Sequence, residues 1–146
     1  LTTIYFSHYY FEACRLVRRA DKLFERLGVW FELEAKGFKT TFETPGNTRS
    51  DCHAWGAHPI YHCFAAVAGI RPASFGFEDV EIAPLPGALD RIGAKLVHPL
   101  GEIKVELKHK GNSLKGTVFL PKGLSGSFIW NGSKKILFSG EQNISF

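Results

Sequence analysis

The chain has 146 residues, 45% of them hydrophobic and 14% aromatic, which supplies a packed core and excludes an intrinsically disordered segment. Its formal net charge of +4 comes from 18 Lys and Arg against 14 Asp and Glu. The basic residues are scattered, with runs no longer than pairs such as Arg18-Arg19 and Lys134-Lys135, so a solvated surface is expected rather than a nucleic-acid footprint.

The opening Leu1-Thr2-Thr3-Ile4-Tyr5-Phe6 enters an apolar pattern at once, and Met is absent, so the sequence reads as a fragment. No apolar run approaches the roughly 18 residues that span a bilayer, so no membrane partner is expected. Any export signal would lie upstream, which leaves the compartment open. Tyr5, Phe6, Tyr9, Tyr10, Ala13, Leu16 and Val17 recur at helical spacing and predict a helix buried on more than one side, its aromatic stripe belonging to the core.

A second helix follows, with Asp21 as its cap, Leu23, Leu27, Trp30 and Leu33 on its apolar face, and Gly37 in the left-handed position beyond its end. Gly28 is a candidate interruption. The short link predicts an antiparallel helical hairpin. A third helix is expected from Pro59 to before Gly69, burying Ile60, Tyr61, Phe64, Ala65, Val67 and Ala68. Between the second and third helices runs a polar and aromatic stretch from Phe38 to His58, long enough to suggest a functional loop.

Beyond about residue 70 the pattern changes to short alternating runs separated by Gly and Pro. Phe77, Val80 and Ile82 form one run and Ile92 to Val97 another, while Ile103, Val105 and Leu107 alternate with Lys104, Glu106 and Lys108 at the period of a half-buried strand. Lys110-Gly111-Asn112 turns into Leu114 to Leu120. Asn131-Gly132 suits a type I′ hairpin joining Phe128–Trp130 with Ile136–Phe138. Some seven strands at this spacing predict an antiparallel β-sandwich. The fold class is therefore α+β in two parts, divided into residues 1–75 and 76–146.

The chemistry-bearing residues concentrate in the long loop and the helix start after it: Glu43, Arg49, Asp51, Cys52, His53, Trp55, His58 and His62. One reading takes Glu43 and Asp51 with His53 as acid/base and binding groups beside Trp55, whose flat face stacks on a sugar ring. A second is a metal site drawn from His58 and His62, four apart, with Cys52, Cys63 and His53; it lacks any recognised ligand motif, and no metal or other cofactor is expected. A bland reading pairs Glu43 with Arg49, makes Asp51 a helix cap, and puts His53 and Trp55 in the core. Cys14, Cys52 and Cys63 are an odd number without CxxC spacing, which predicts reduced, buried thiols.

The run G-F-K-T-T-F-E at Gly37–Glu43, then T-R-S-D-C-H-A-W-G-A-H-P at Thr48–Pro59, G-I-R-P-A at Gly69–Ala73, G-F-E-D-V-E-I-A-P at Gly76–Pro84 and P-L-G-E-I-K-V-E at Pro99–Glu106 resembles the C-terminal signature of the bacterial α-L-rhamnosidase family. The resemblance implies the last helices of a six-hairpin (α/α) toroid over residues 1–75 and a closing β-sandwich over residues 76–146. It implies an inverting glycosidase that releases terminal α-L-rhamnose from a rhamnose-containing oligosaccharide or glycoside. Glu43 matches the general base, and His53 and Trp55 match sugar-pocket positions; Arg49 and Asp51 would support them. The general acid of an inverting pair would lie in the upstream remainder of the catalytic domain. The competing reading from another class is a non-catalytic carbohydrate-binding or structural module, with Trp55 or Trp130 stacking on sugar.

Overall fold

A computed structural model describes residues 2–146. The chain divides into two compact units, Leu1–His62 and Cys63–Phe146, the first helical and the second built of strands.

In the first unit, the Thr3 hydroxyl accepts the Phe6 amide at 3.1 Å and the Thr3 carbonyl accepts the Ser7 amide at 3.0 Å, which starts the chain into α1, Ser7–Leu16. Ser7, Phe11 and Cys14 form its buried stripe at a spacing of four and three. Tyr5, Phe6, Tyr9, Leu16 and Val17 are exposed, so the expectation that the whole aromatic stripe is core does not hold. One face of α1 is satisfied by α2, Ala20–Phe31, and the opposite face carries those rings outward.

The two helices are linked by Val17–Arg19, with Arg18 at φ +55°. Arg26 of α2 donates from Nε to Ser7 Oγ at 2.8 Å and from Nη2 to the Thr2 carbonyl at 2.9 Å, so α2 runs back antiparallel to α1 as the short link requires. Asp21 does not cap α2. The cap position is Arg19, and Asp21 sits in the first turn, where it accepts two bonds from the Arg19 guanidinium. A carboxylate there still opposes the positive helix end. Gly28 lies inside α2 without breaking it. Gly37, at φ +84°, closes the following turns, with the Phe38 amide bonded to the Leu33 carbonyl at 3.0 Å. Ile4, Leu33 and Phe42 form a buried cluster with Val29, Trp30 and Phe38 packed on it, so the far end of α2 anchors the start of the long loop.

The helix expected from Pro59 is two segments, α3 at Pro59–His62 and a π-helical stretch at Cys63–Ala68. The wider π turn changes the phase of the buried face. Ala65, Val67 and Ala68 are buried as expected, whereas Ile60 and Tyr61 are exposed and His62 takes the interior position. Gly69, at φ +75°, ends the stretch, and a Cβ there would meet the Ala83 carbonyl carbon at 2.2 Å.

In the second unit, eight strands among the described residues form two four-stranded sheets, β1-β2-β6-β7 and β3-β4-β5-β8. The strands are β1 Ile70–Pro72, β2 Asp79–Ile82, β3 Arg91–His98, β4 Gly101–Lys110, β5 Ser113–Leu120, β6 Ser125–Trp130, β7 Ser133–Leu137 and β8 Gly140–Ser145. The period-two reading of β4 holds, with Ile103, Val105 and Leu107 buried, and Leu114, Val118 and Leu120 fill the matching face of β5. Asn131 and Gly132 have φ +46° and +81° in the two-residue turn between Trp130 and Ser133, the double left-handed conformation of a type I′ hairpin.

The pairings are antiparallel except β2 with β6, which is parallel. The G-I-R-P-A and E-D-V-E-I segments are the two arms of β1–β2, with Arg71 opposite Glu81. Arg71 pairs with the Glu81 carboxylate and donates to the Ala65 carbonyl at 2.9 Å, which ties the π-helical stretch to this sheet.

Candidate functional site

The long loop is held as an irregular hairpin. The Glu43 amide donates to the Ser50 carbonyl and the His53 amide to the Thr41 carbonyl, both at 2.8 Å, while Thr41 Oγ1 returns a bond to the His53 carbonyl at 2.8 Å. Thr40 donates to the Asp51 carbonyl, and Thr48 Oγ1 to the Ser50 carbonyl at 2.7 Å. These Thr residues suit the loop because their hydroxyls satisfy backbone groups that no regular ladder reaches. The loop's far end is pinned by Trp30, whose indole nitrogen donates to the Gly56 carbonyl at 2.7 Å. Gly56 fits because a Cβ at that position would lie 2.9 Å from both the Phe42 carbonyl oxygen and the Thr41 Cβ.

Phe42 points into the helical core and carries Glu43 with it, leaving the Glu43 side chain 9% exposed beneath Arg49, which is 85% exposed. The guanidinium engages both carboxylate oxygens, with Nε to Oε2 at 3.1 Å and Nη2 paired to Oε1. That contact, with the charge of His53 as a smaller influence, holds the Glu43 carboxyl below its ordinary range and keeps it ionised at neutral pH. Each oxygen keeps a further lone pair, so the ion pair does not exhaust its capacity to accept a proton.

His53 packs on Trp55 with ring centroids 4.4 Å apart, and Trp55 meets Tyr5 at 5.3 Å. Trp55 is 50% exposed, which leaves ring surface for a ligand and removes it from the core. Tyr5, His8, Tyr9, Trp55 and His58 line a cavity of about 280 Å³ that does not include Glu43 or His53. The loop thus brings Glu43, Arg49, His53 and Trp55 into one neighbourhood, and Tyr5, just before α1, and Tyr9 within it add two exposed rings beside Trp55. Asp51 is exposed and does not cap a helix: its carbonyl serves Thr40, and the helical turn at Ala54–Ala57 begins after His53 with no side-chain cap.

Of the cysteines, all are free and only Cys14 is buried; Cys52 and Cys63 are exposed, against the expectation of buried thiols. Desolvation still pushes the Cys63 thiol up, away from the thiolate a metal would need. The metal-competent group among the described residues omits the cysteines: it is His8, His58 and His62, one ring nitrogen of each lying within 4.8 Å of the others. Burial pushes His58 down and His62 to about 4, so both are neutral imidazoles. His8 was not singled out in the sequence. The available signal was a pair of four-residue spacings, His8 to Glu12 and His58 to His62.

Trp130, a candidate for sugar stacking, is buried, with its indole nitrogen donating to the Asn112 carbonyl at 2.9 Å and its ring against His109. It offers no open face. Among the described residues no helix is long and apolar enough to cross a membrane.

No protein-family profile and no curated protein matches the chain. Solved structures do. The chain superposes on the native α-L-rhamnosidase of Aspergillus terreus with a TM-score of 0.70 at 20% identity, over 80% of this chain and 15% of that one. It matches a GH78 family rhamnosidase of Bacillus sp. GL1 with a TM-score of 0.67 at 24% identity, over 75% of this chain and 13% of that one. The Streptomyces avermitilis α-L-rhamnosidase, solved in complex with L-rhamnose, gives a TM-score of 0.63 at 18% identity, over 77% of this chain and 14% of that one. At such identities the likeness is one of fold. The chain spans about 15% of the length of the first of these enzymes. These three solved structures, which share its fold, are α-L-rhamnosidases, the family that its loop motifs resemble.

Proposed function

We propose that this chain is the C-terminal part of an inverting α-L-rhamnosidase and contributes its general base. The helical unit, Leu1–His62, supplies the last helices of an (α/α) six-hairpin catalytic toroid, and the strand unit, Cys63–Phe146, the closing β-sandwich. That boundary is earlier than the 1–75 and 76–146 division expected from the sequence, because β1 at Ile70–Pro72 already pairs in the sheet. The upstream remainder of that toroid is the partner that completes the site and supplies the general acid. The substrate is a rhamnose-containing oligosaccharide or glycoside. The single observation that carries the reading is the Glu43 carboxylate: ionised, largely buried, and fixed in the same short loop as an imidazole and a half-exposed indole.

An inverting glycosidase needs one carboxylic acid to protonate the leaving oxygen and one carboxylate to deprotonate water on the opposite face of the sugar. Glu43 fits the second role because Arg49 keeps it charged and because its amide is bonded to the Ser50 carbonyl, which Thr48 holds in turn. His53 and Trp55 supply the hydrogen-bonding and stacking surfaces of a sugar pocket, and Arg49 orients the base. Asp51 stands in the same loop as an exposed supporting carboxylate.

The test is Glu43→Gln in the complete enzyme, assayed on an aryl α-L-rhamnoside. Loss of the base should lower kcat by about 10²- to 10⁴-fold with KM nearly unchanged. Wild-type turnover would overturn the assignment. An absence of rhamnosidase activity in the wild-type enzyme, with rhamnose still bound by the chain, would favour a non-catalytic carbohydrate-binding module, for which Trp55 is the available stacking surface. The anomer first released, followed by NMR, tests inversion directly.

A further inference from the structure

We propose that His8, His58 and His62 form a binding site for one divalent transition-metal ion, with zinc the ion that suits three imidazole ligands. The site is independent of the glycosidase reading. His8 Nδ1 and His62 Nε2 lie 3.1 Å apart. Two nitrogens on one zinc at about 2.0–2.1 Å in a tetrahedron are separated by roughly 3.4 Å, so this pair already spans one edge of such a site. His58 completes the three, since one ring nitrogen of each histidine falls within 4.8 Å of the others. His8 and His58 are partly exposed and His62 is buried, so the two outer rings can adjust toward the fixed one.

The remaining ring atoms are arranged as a metal site requires. His58 Nε2 faces the Ile4 carbonyl at 3.0 Å and must donate to it, so its neutral ring presents Nδ1 as a lone pair; that atom is buried and has no hydrogen-bond partner. His62 is fully buried, and its Nδ1 likewise lacks a hydrogen-bond partner, facing Glu12 Oε1 at 3.6 Å. Glu12 is held in place by Arg15, which binds Oε2 through Nε at 3.0 Å and Nη2 at 2.8 Å and leaves Oε1 turned toward His62.

A carboxylate behind one ligating histidine and a backbone carbonyl behind another are the outer contacts that fix imidazole tautomers at metal centres. The buried His58 Nδ1 has no hydrogen-bond partner and would gain one in the cation. Glu12 Oε1 and His62 Nδ1, the other two buried atoms without a bond, face each other as a ligand and its outer contact would. Such an ion would clamp α1 to α3 across 54 residues of sequence. His8 and His58 also line the cavity next to Trp55, which provides a route for the ion to enter.

The purified chain, stripped with chelator and titrated with Zn²⁺ by calorimetry and elemental analysis, should bind one ion per molecule, and Co²⁺ should give the visible absorption of a tetrahedral site. His8→Ala, which alters a partly exposed side chain, should keep the helical circular dichroism and lose stoichiometric binding. Glu12→Gln should weaken binding by roughly 10- to 100-fold, less than His8→Ala does. Cys52→Ser and Cys63→Ser should leave the affinity as it is. Substoichiometric zinc in the wild-type chain, unchanged affinity in His8→Ala, or loss of binding in either cysteine variant would overturn the proposal.

Discussion

The two units satisfy their side chains in different ways. In the strand unit the buried faces are filled from within: Ile103, Val105, Leu114, Val118, Leu120 and Phe128 have no exposed surface. In the helical unit Phe11 and Leu23 reach that state, while Tyr5, Phe6, Tyr9 and Trp55 stand half exposed and three buried polar atoms lack partners. The strand unit exposes apolar side chains too, Phe75, Val97 and Phe138 among them, but among the described residues the buried polar atoms without partners lie in the helical unit. In the proposed reading the strand unit is the scaffold and the helical unit carries the chemistry.

The sharpest attempt to break that contrast is Phe128→Ala. The ring is fully buried and stacked on Phe146 at 5.6 Å, so its loss should lower stability by about 3–5 kcal/mol, read from chemical denaturation. A much smaller loss would mean that the strand unit is not closed on itself. Gly56→Ala comes next. The added methyl would press on Phe42 and Thr41, and a cost of about 1–3 kcal/mol is expected, with altered near-ultraviolet dichroism from the Trp30 contact.

Arg49→Ala acts on the chemistry and little on stability, because that side chain is mostly in solvent. The guanidinium lowers the proton affinity of Glu43, so its removal raises the pKa of the proposed base. A base must be deprotonated to act, and the acid limb of kcat/KM in the complete enzyme should therefore move to higher pH. A limb that stayed in place, or moved down, would separate Glu43 from the rate-determining ionisation. The smallest effect belongs to Tyr9→Ala, where truncating a half-exposed ring should change the chain's stability by no more than about 0.5 kcal/mol. A large loss would show that the outward face of α1 takes part in holding the helices together.

What could be read from the residues follows from how local the physics is. The β4–β5 and β6–β7 hairpins were legible because alternation and two-residue turns are written in consecutive residues. β1, three residues ending in Pro72, and β8, with Ile144 its one buried side chain, carry no such pattern and exist through their neighbours. The pairing of Glu43 with Arg49 was visible as opposite charges six residues apart. The place of His8 was not, because its partner is 54 positions away and only the packing of α1 near α3 brings them together. Periodicity gave the helices of the first unit but misjudged which rings they bury, since spacing defines a face and cannot say how many neighbours surround it.

The parallel pairing of Asp79–Ile82 with Ser125–Phe128 sets an order of assembly. β3, β4 and β5 follow one another through short turns and can form as each segment becomes available, whereas β2, paired with β1 on one side, must wait more than forty residues for the neighbour on its other edge. Closing that loop costs chain entropy before any reward from the pair is collected, so the meander should precede it. On a ribosome, the far edge of β2 would stay bare until Trp130 had emerged, and truncated chains ending before β6 should be the ones that aggregate.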